Sequence, residues 1–189
     1  MKVENYLSNI VKYIELFLKD HDKIVIAIDG MCGSGKTTLA QEINSFFNGN
    51  IIHMDDYFLP LEKRTKERLS TPGGNVNYEK VYEDIVLNLD KDLIYEPFVC
   101  KTKSFKEKSI IKFNKVTIIE GSYALHPYFK KYYDLAIVLK ISDTKQIERL
   151  SKREGLKLDD FINKWIPLEN RYFEYYDIFS KADFLIDIK

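Results

Sequence analysis

The chain has almost no cysteine, no net charge and no long apolar run, and each shortage excludes a class of protein. Its two cysteines, Cys32 and Cys100, form neither a C-x-x-C pair nor a cluster with histidine at metal-ligand spacing. A secreted disulfide scaffold and a structural zinc module are therefore excluded, and a reducing, cytoplasmic setting is expected. Lysine plus arginine number 29, as do aspartate plus glutamate, so no global field draws the protein to nucleic acid or an anionic membrane. Any anion site must be local. Repeats, low-complexity tracts and interdomain linkers are also missing. The stretch VENYLSNIVKYIELFLKD places Leu7, Ile10, Val11, Ile14, Phe17 and Leu18 at helical spacing, interrupted by Glu4, Lys12 and Glu15. That pattern predicts an amphipathic helix over about 3–19 rather than a signal peptide or membrane span.

What is present is material for one compact domain: 189 residues, 45% hydrophobic and 14% aromatic. KIVIAID (23–29) is a near-continuous β-branched run, as expected of a strand covered on both faces of a parallel sheet. NIIHM, KVTII, DLAIVLKI and DFLIDI repeat the signature. Helical patterns lie between them: Thr37 to Phe47 closed by Gly49, Tyr78 to Leu89, Asp143 to Glu154 closed by Gly155, and Leu158 to Phe179 with Pro167 as a break or new start. Asp143 and Gln146 have capping-box spacing. Alternating strands and helices predict an α/β sheet. Residues 57–78 and 95–114 read as surface excursions, the second rich in lysine at 101, 103, 106, 108 and 112.

Directly after the first strand comes GMCGSGKTT, in which Gly30, Gly35, Lys36 and Thr37 match G-x-x-x-x-G-K-[ST]. A glycine turn that happens to carry a lysine is the simpler alternative, but the match sits between a strand and a helix pattern. There, small residues let the backbone wrap a polyphosphate whose charge meets loop amides and a helix N-terminus. Gly30, Gly33, Ser34, Gly35, Lys36, Thr37 and Thr38 are the expected nucleotide-binding residues, with Lys36 on the β and γ phosphates and Thr37 on Mg²⁺. Cys32 reads as a small space-filler rather than a reactive thiol.

Three strand ends and helix faces narrow the class. Glu120 ends KVTIIEG, where an acid would stand beside magnesium and its waters. Asp55 and Asp56 follow the strand after the P-loop helix, where an acceptor hydroxyl could lie. Arg149 and Arg153 are four apart in TKQIERLSKREG, on one helical face of a lid expected over about 143–160. Ordinary surface arginines and a solvated strand end are the bland alternatives for these residues. The N-K-x-D base-reading motif of a GTPase is absent.

DGMCGSGKTTLA, HMDDYFLP, PGGNVNYE, EGSYALHP, ERLSKREG and WIPLENRYFE together resemble the uridine kinase-like family of P-loop kinases, close to phosphoribulokinase and nicotinamide riboside kinase. The likeness runs from Lys23 onward. It implies a three-layer sandwich with a five-stranded parallel sheet, helices on both faces and a helical lid. It also implies ATP or GTP with Mg²⁺ as donor, and phosphorylation of a ribosyl 5′-hydroxyl. By the family's D-x-[FY]-[FY] motif, Asp55 is the base facing the acceptor, and with Thr37 and Glu120 it stands by the metal. The doubled aspartate is similar to nicotinamide riboside kinases, whereas uridine kinases have one. TPGGNVNYE and YEPFVCKTKSF depart from the uridine kinase segments that shape the nucleoside pocket, so acceptor contacts do not carry over.

Asp56, Tyr57, Phe58, Tyr78 and His126 are candidates for acceptor binding, and Phe98 for stacking, although core packing suits the aromatics and a structural role suits a lone histidine. Strand alternation would send Asp55 and Asp56 to opposite sides, Asp55 to the crevice and Asp56 to a supporting or turn-capping role. The expected activity is phosphorylation of a small hydroxyl compound, foremost uridine or a related nucleoside. Nicotinamide riboside, pantothenate or a pentose phosphate is the rival acceptor, and a nucleotide-binding regulatory module is the rival class. A nucleic-acid end kinase would need the lysines of 101–112 as a basic track, which a solvated hairpin explains more simply. A homo-oligomer is compatible with these features, and a membrane partner is not expected.

Overall fold

The computed structural model describes residues 3–100 and 102–188; Lys101, one of the excursion's lysines, lies outside them. In chain order the elements are α1 (Val3–Asp20), β1 (Ile24–Gly30), α2 (Lys36–Phe47), β2 (Asn50–His53), α3 (Lys66–Ser70), α4 (Tyr78–Asp84), β3 (Leu93–Tyr95), β4 (Phe98–Val99), β5 (Ser104–Phe105), β6 (Ser109–Ile111), β7 (Val116–Glu120), β8 (Leu135–Ile141), α5 (Asp143–Glu154), α6 (Leu158–Asp160), α7 (Ile166–Tyr175) and β9 (Phe184–Ile188). Five strands form one parallel sheet in the order β2-β7-β1-β8-β9.

The β-branched runs make this sheet because both of its faces are covered. Every residue of β1 and β7 is buried. Side chains of β1 alternate: Ile24, Ile26 and Ile28 pack against Ile10 and Ile14 of α1 and Leu39 and Ile43 of α2. Val25 and Ala27 face the other way, into a cluster with Val81 of α4 and with Tyr172 and Phe173 of α7. Each fully buried isoleucine contributes about 1.5–3 kcal/mol, so the two clusters form two cores, one on each face.

Several local expectations need correction. The left-handed C-cap of α2 is Asn48 (φ 49°), not Gly49, and its N–H donates to Asn44 O. The Asp143–Gln146 capping box does not form: Ser142 is the N-cap of α5, without a side-chain cap bond, and Gln146 is used elsewhere. The helix expected over 78–89 is α4 followed by a separate 3₁₀ turn, Val86–Asn88. Pro167 starts α7, within its first two residues, after a π-helical turn over Phe161–Trp165. Asp55 and Asp56 lie on a 3₁₀ turn, Met54–Tyr57, not on the strand, so the period-two alternation that would have split them does not apply.

The 95–114 excursion is two small antiparallel pairings, β3 with β6 and β4 with β5. Lys112 pairs with Asp92 at 2.7 Å, and Lys80 of α4 bridges Asp84 at 2.7 Å and Glu96 at 3.1 Å. Lys112 thus follows β6 directly, Lys80 stands on α4, and Lys106 lines the cleft described below. Among the described residues no helix is long and apolar enough to cross a membrane.

Candidate functional site

The sheet order puts the C-terminal ends of β2, β7 and β1 side by side, and their register aligns Glu120 with both Ile28 and His53. Ligands of open parallel sheets gather at such ends. The chain leaves β1 through Gly30 (φ 137°), where an added Cβ would lie 2.2 Å from Leu139 O, so no side chain fits. Gly35 (φ 100°) caps α2 in a conformation that L side chains rarely adopt.

Between these glycines the loop is held from outside. Gln146 Nε2 donates to Cys32 O at 2.9 Å, and Arg149 Nη1 to Gly33 O at 3.1 Å and Ser34 O at 3.3 Å. Cys32 N–H donates to Glu169 Oε2 at 2.8 Å, while Glu169 Oε1 accepts from Ser122 at 2.6 Å. The amides of Gly33, Gly35, Lys36, Thr37 and Thr38 have no protein acceptor among the described residues. They remain for an anion. Lys36 Nζ rests on Gly30 O (2.8 Å) and Met31 O (3.1 Å), so its charge sits over the loop.

Thr37 Oγ1 donates to Glu120 Oε1 at 3.0 Å, and His53 Nδ1 meets the same oxygen at 2.5 Å. Glu120 is buried. Its hydrogen bond raises the His53 pKa against the effect of partial burial, with Asp56 and Asp55 adding to the rise. Beneath the loop, Asp29 is fully buried and accepts from the amides of Gly30, Tyr123 and Leu125 and from the Tyr172 hydroxyl. Burial pushes its pKa up to about 6 against the Leu125, Tyr172 and Gly30 donors and Lys36.

Asp55 and Asp56 both line the cleft, which has a volume of about 750 Å³. Asp55 keeps water-accessible surface there, yet the enclosing walls raise its pKa. Lys36 lowers it, and Glu120, Glu169 and Asp56 push it further up. Asp56 accepts from the Tyr95 hydroxyl of β3. The far wall is apolar, with Phe58 and Trp165 at 5.8 Å between ring centroids, and Phe98, Val99 and Phe161 beside them. Arg153 lines the cleft, bonded to Glu154 at 2.5 Å and lying 5.8 Å over the Phe161 ring. The Thr37 hydroxyl and the Glu120 and Asp55 carboxylates are hard oxygen donors, which suit Mg²⁺.

Of the nucleotide-loop residues expected from sequence, Gly33, Gly35, Lys36, Thr37 and Thr38 line the cleft, while Ser34 is buried and Gly30 lies below. Phe58 and Phe98 reach the cleft wall. Tyr57 does not: it is a core residue, 1% exposed. Neither do Tyr78 and His126, which stack on each other at 4.5 Å, with His126 buried. Arg149 is turned to the loop carbonyls rather than to the space above them. Burial and Glu169 push the Cys32 thiol pKa up, in keeping with a space-filler. Sequence reading missed Asp29, His53, Trp165 and Glu169, and assigned Gln146 to a cap. A lone acid ending an apolar run was a signal for Asp29; the partners of the other four are set only by tertiary contact.

A phosphate-binding loop on a buried strand, an acid closing the adjoining strand and a carboxylate pair across the crevice are arranged as in the P-loop kinase fold. A family model described as the NB-ARC domain matches residues 7–59, the part of the chain that carries this loop. The chain is 30% identical over 122 residues to uridine-cytidine kinase D of Dictyostelium discoideum, covering 64% of this chain and 24% of that protein. It thus spans about a quarter of that relative's length. With a uridine kinase of Clostridium botulinum it shares 28% identity over 160 residues, covering 77% of each. A solved structure described as a possible uridine kinase from Bacillus stearothermophilus superposes with a TM-score of 0.74 at 20% identity, over 99% of this chain and 100% of that one. The chain is thus similar to uridine kinase-like P-loop kinases in sequence and shares their fold.

Proposed function

We propose that the protein transfers the γ-phosphoryl group of a magnesium-bound ATP or GTP to a hydroxyl of a small acceptor, foremost the 5′-hydroxyl of uridine or a related nucleoside. The observation that carries this reading is the placement of Asp55 in one cleft with Lys36, Thr37 and Glu120, opposite an aromatic wall. A cleft of about 750 Å³ falls in the range of small-molecule sites. The relatives named as uridine and uridine-cytidine kinases favour a nucleoside acceptor.

In this reading the free loop amides and Lys36 hold the phosphates, and Thr37, Glu120 and Asp55 would hold Mg²⁺, which supplies charge neutralisation on the transferring group. Asp55 receives and orients the acceptor hydroxyl. Its raised pKa suits proton acceptance late in a loose transition state, where positioning dominates. Arg153 covers the transferring group from the lid. Coupled nucleotide consumption should be screened over uridine, cytidine, nicotinamide riboside, pantothenate and pentose phosphates. Stimulation by uridine or cytidine is expected. Stimulation by a non-nucleoside alone would reassign the acceptor, and acceptor-independent hydrolysis alone would favour a regulatory module.

A further inference from the structure

Glu169 is an anion where an anion is costly. It is 5% exposed, borders the phosphate loop, and among the described residues has no ion-pair partner. A buried carboxylate there loses hydration and repels the phosphates it adjoins. What it gives in exchange is orientation. It takes the Cys32 N–H, and 114 residues from that loop position Gln146 takes the Cys32 carbonyl.

In a trans peptide the carbonyl and the following N–H point in opposite directions. Holding Cys32 O on the α5 side therefore turns the Gly33 N–H away from α5. Arg149 does the same for the Gly35 N–H by holding Ser34 O. The Gly33 and Gly35 amides are among those without a protein acceptor. We infer that Glu169 and Gln146 are positioning residues, a clamp on the two peptides that flank Cys32, Glu169 on the one before it and Gln146 on the one after, which aims the loop amides at the phosphates before nucleotide arrives. Neither side chain need touch the nucleotide. The inference rests on the nucleotide-binding reading above and goes beyond it, because it assigns residues outside the P-loop signature to the loop's geometry.

The donor and acceptor pattern makes the clamp testable. Glutamine at 169 can accept from Cys32 N–H through its carbonyl and donate to the Ser122 oxygen, so Glu169→Gln keeps both bonds. Glu169→Ala keeps neither. At position 146 the requirement is reversed, since Gln146→Glu loses the donor that Cys32 O needs.

The experiment is titration of the full chain with Mg-ATP and Mg-GTP, without acceptor, alongside thermal melting and steady-state kinetics. Glu169→Ala, Gln146→Ala and Gln146→Glu should each raise the nucleotide Kd and KM about tenfold, the scale of one lost hydrogen bond. Turnover at saturating nucleotide should stay within about threefold, and Glu169→Gln should bind within about twofold of wild type. A folded Glu169→Ala protein with unchanged nucleotide Kd would overturn the clamp, as would Glu169→Gln as damaged as the alanine variant. Should Glu169→Ala not fold, unchanged affinity in Gln146→Ala overturns it. Failure of the wild-type chain to bind either nucleotide would instead overturn the underlying reading, and the clamp with it.

Discussion

The Tyr95 hydroxyl donates to the Asp56 carboxylate and so ties the second aspartate of the pair to the first hairpin strand, while Asp55 answers electrostatically to Lys36. Both acids share one cleft, but Asp56 is engaged. Asp55→Asn should lower turnover at least about 100-fold with nucleotide Kd nearly unchanged. Asp56→Asn and Tyr95→Phe should resemble each other and cost about tenfold or less. Steady-state kinetics with nucleotide and acceptor varied separately decide this; equal losses for the two aspartates would show that the pair acts as a unit.

His53 and Thr37 meet on a single oxygen of Glu120. A group that orients a metal-side carboxylate typically changes metal affinity by 10–100-fold when removed. His53→Ala should therefore raise the Mg²⁺ concentration for half-maximal rate by about tenfold, leaving the rate at saturating Mg²⁺ within a few fold. A magnesium titration at fixed nucleotide checks this, and an unchanged midpoint would release His53 from that role.

Burial lowers the His126 pKa from 6.5 to about 4, with Arg68 adding to the fall and Glu79 opposing it. The unfolded chain thus binds a proton between about pH 6.5 and 4 that the folded chain refuses, so stability is full above pH 6.5 and falls as pH drops through this window. The loss amounts to up to about 3 kcal/mol. Urea unfolding at pH 7, 6, 5 and 4 should show this slope in wild type, and a weaker one in His126→Phe, whose ring keeps the stack on Tyr78. Equal slopes would mean that other groups carry the acid sensitivity.

Gly30→Ala should cost about 3 kcal/mol or more, because a Cβ there meets Leu139 O and the left-handed φ adds strain. Gly155, also at positive φ, has open space around it. Gly155→Ala should cost about 1 kcal/mol, from conformational strain alone. Chemical denaturation of both variants separates collision from strain.

How legible this was in the sequence depended on the range of each interaction. Runs such as IVIAI and VTIIE need only be apolar and β-branched to become buried parallel strands, and all five were readable. The loop signature, Glu120 and the aspartate pair were readable for the same reason, being contiguous residues at strand ends. Alternation failed for Asp55 and Asp56 because the chain tightens into a 3₁₀ turn one residue after β2. Gln146 misled because its spacing from Asp143 fits a cap, yet a carbonyl 114 residues away satisfies it. Tyr57, Tyr78 and His126 look like ring-stacking residues in one dimension, but they pack on other parts of the protein. Nothing local distinguishes a cleft aromatic such as Trp165 from these.

The partners of Cys32 also bear on when the protein becomes competent during synthesis. The loop leaves the ribosome well before the side chains that hold Cys32, which follow 114 and 137 residues later. Such long-range closure is slow relative to local helix formation. A nascent chain can therefore complete α2 behind an unaimed loop, and acquires its phosphate-binding geometry only when α7 docks.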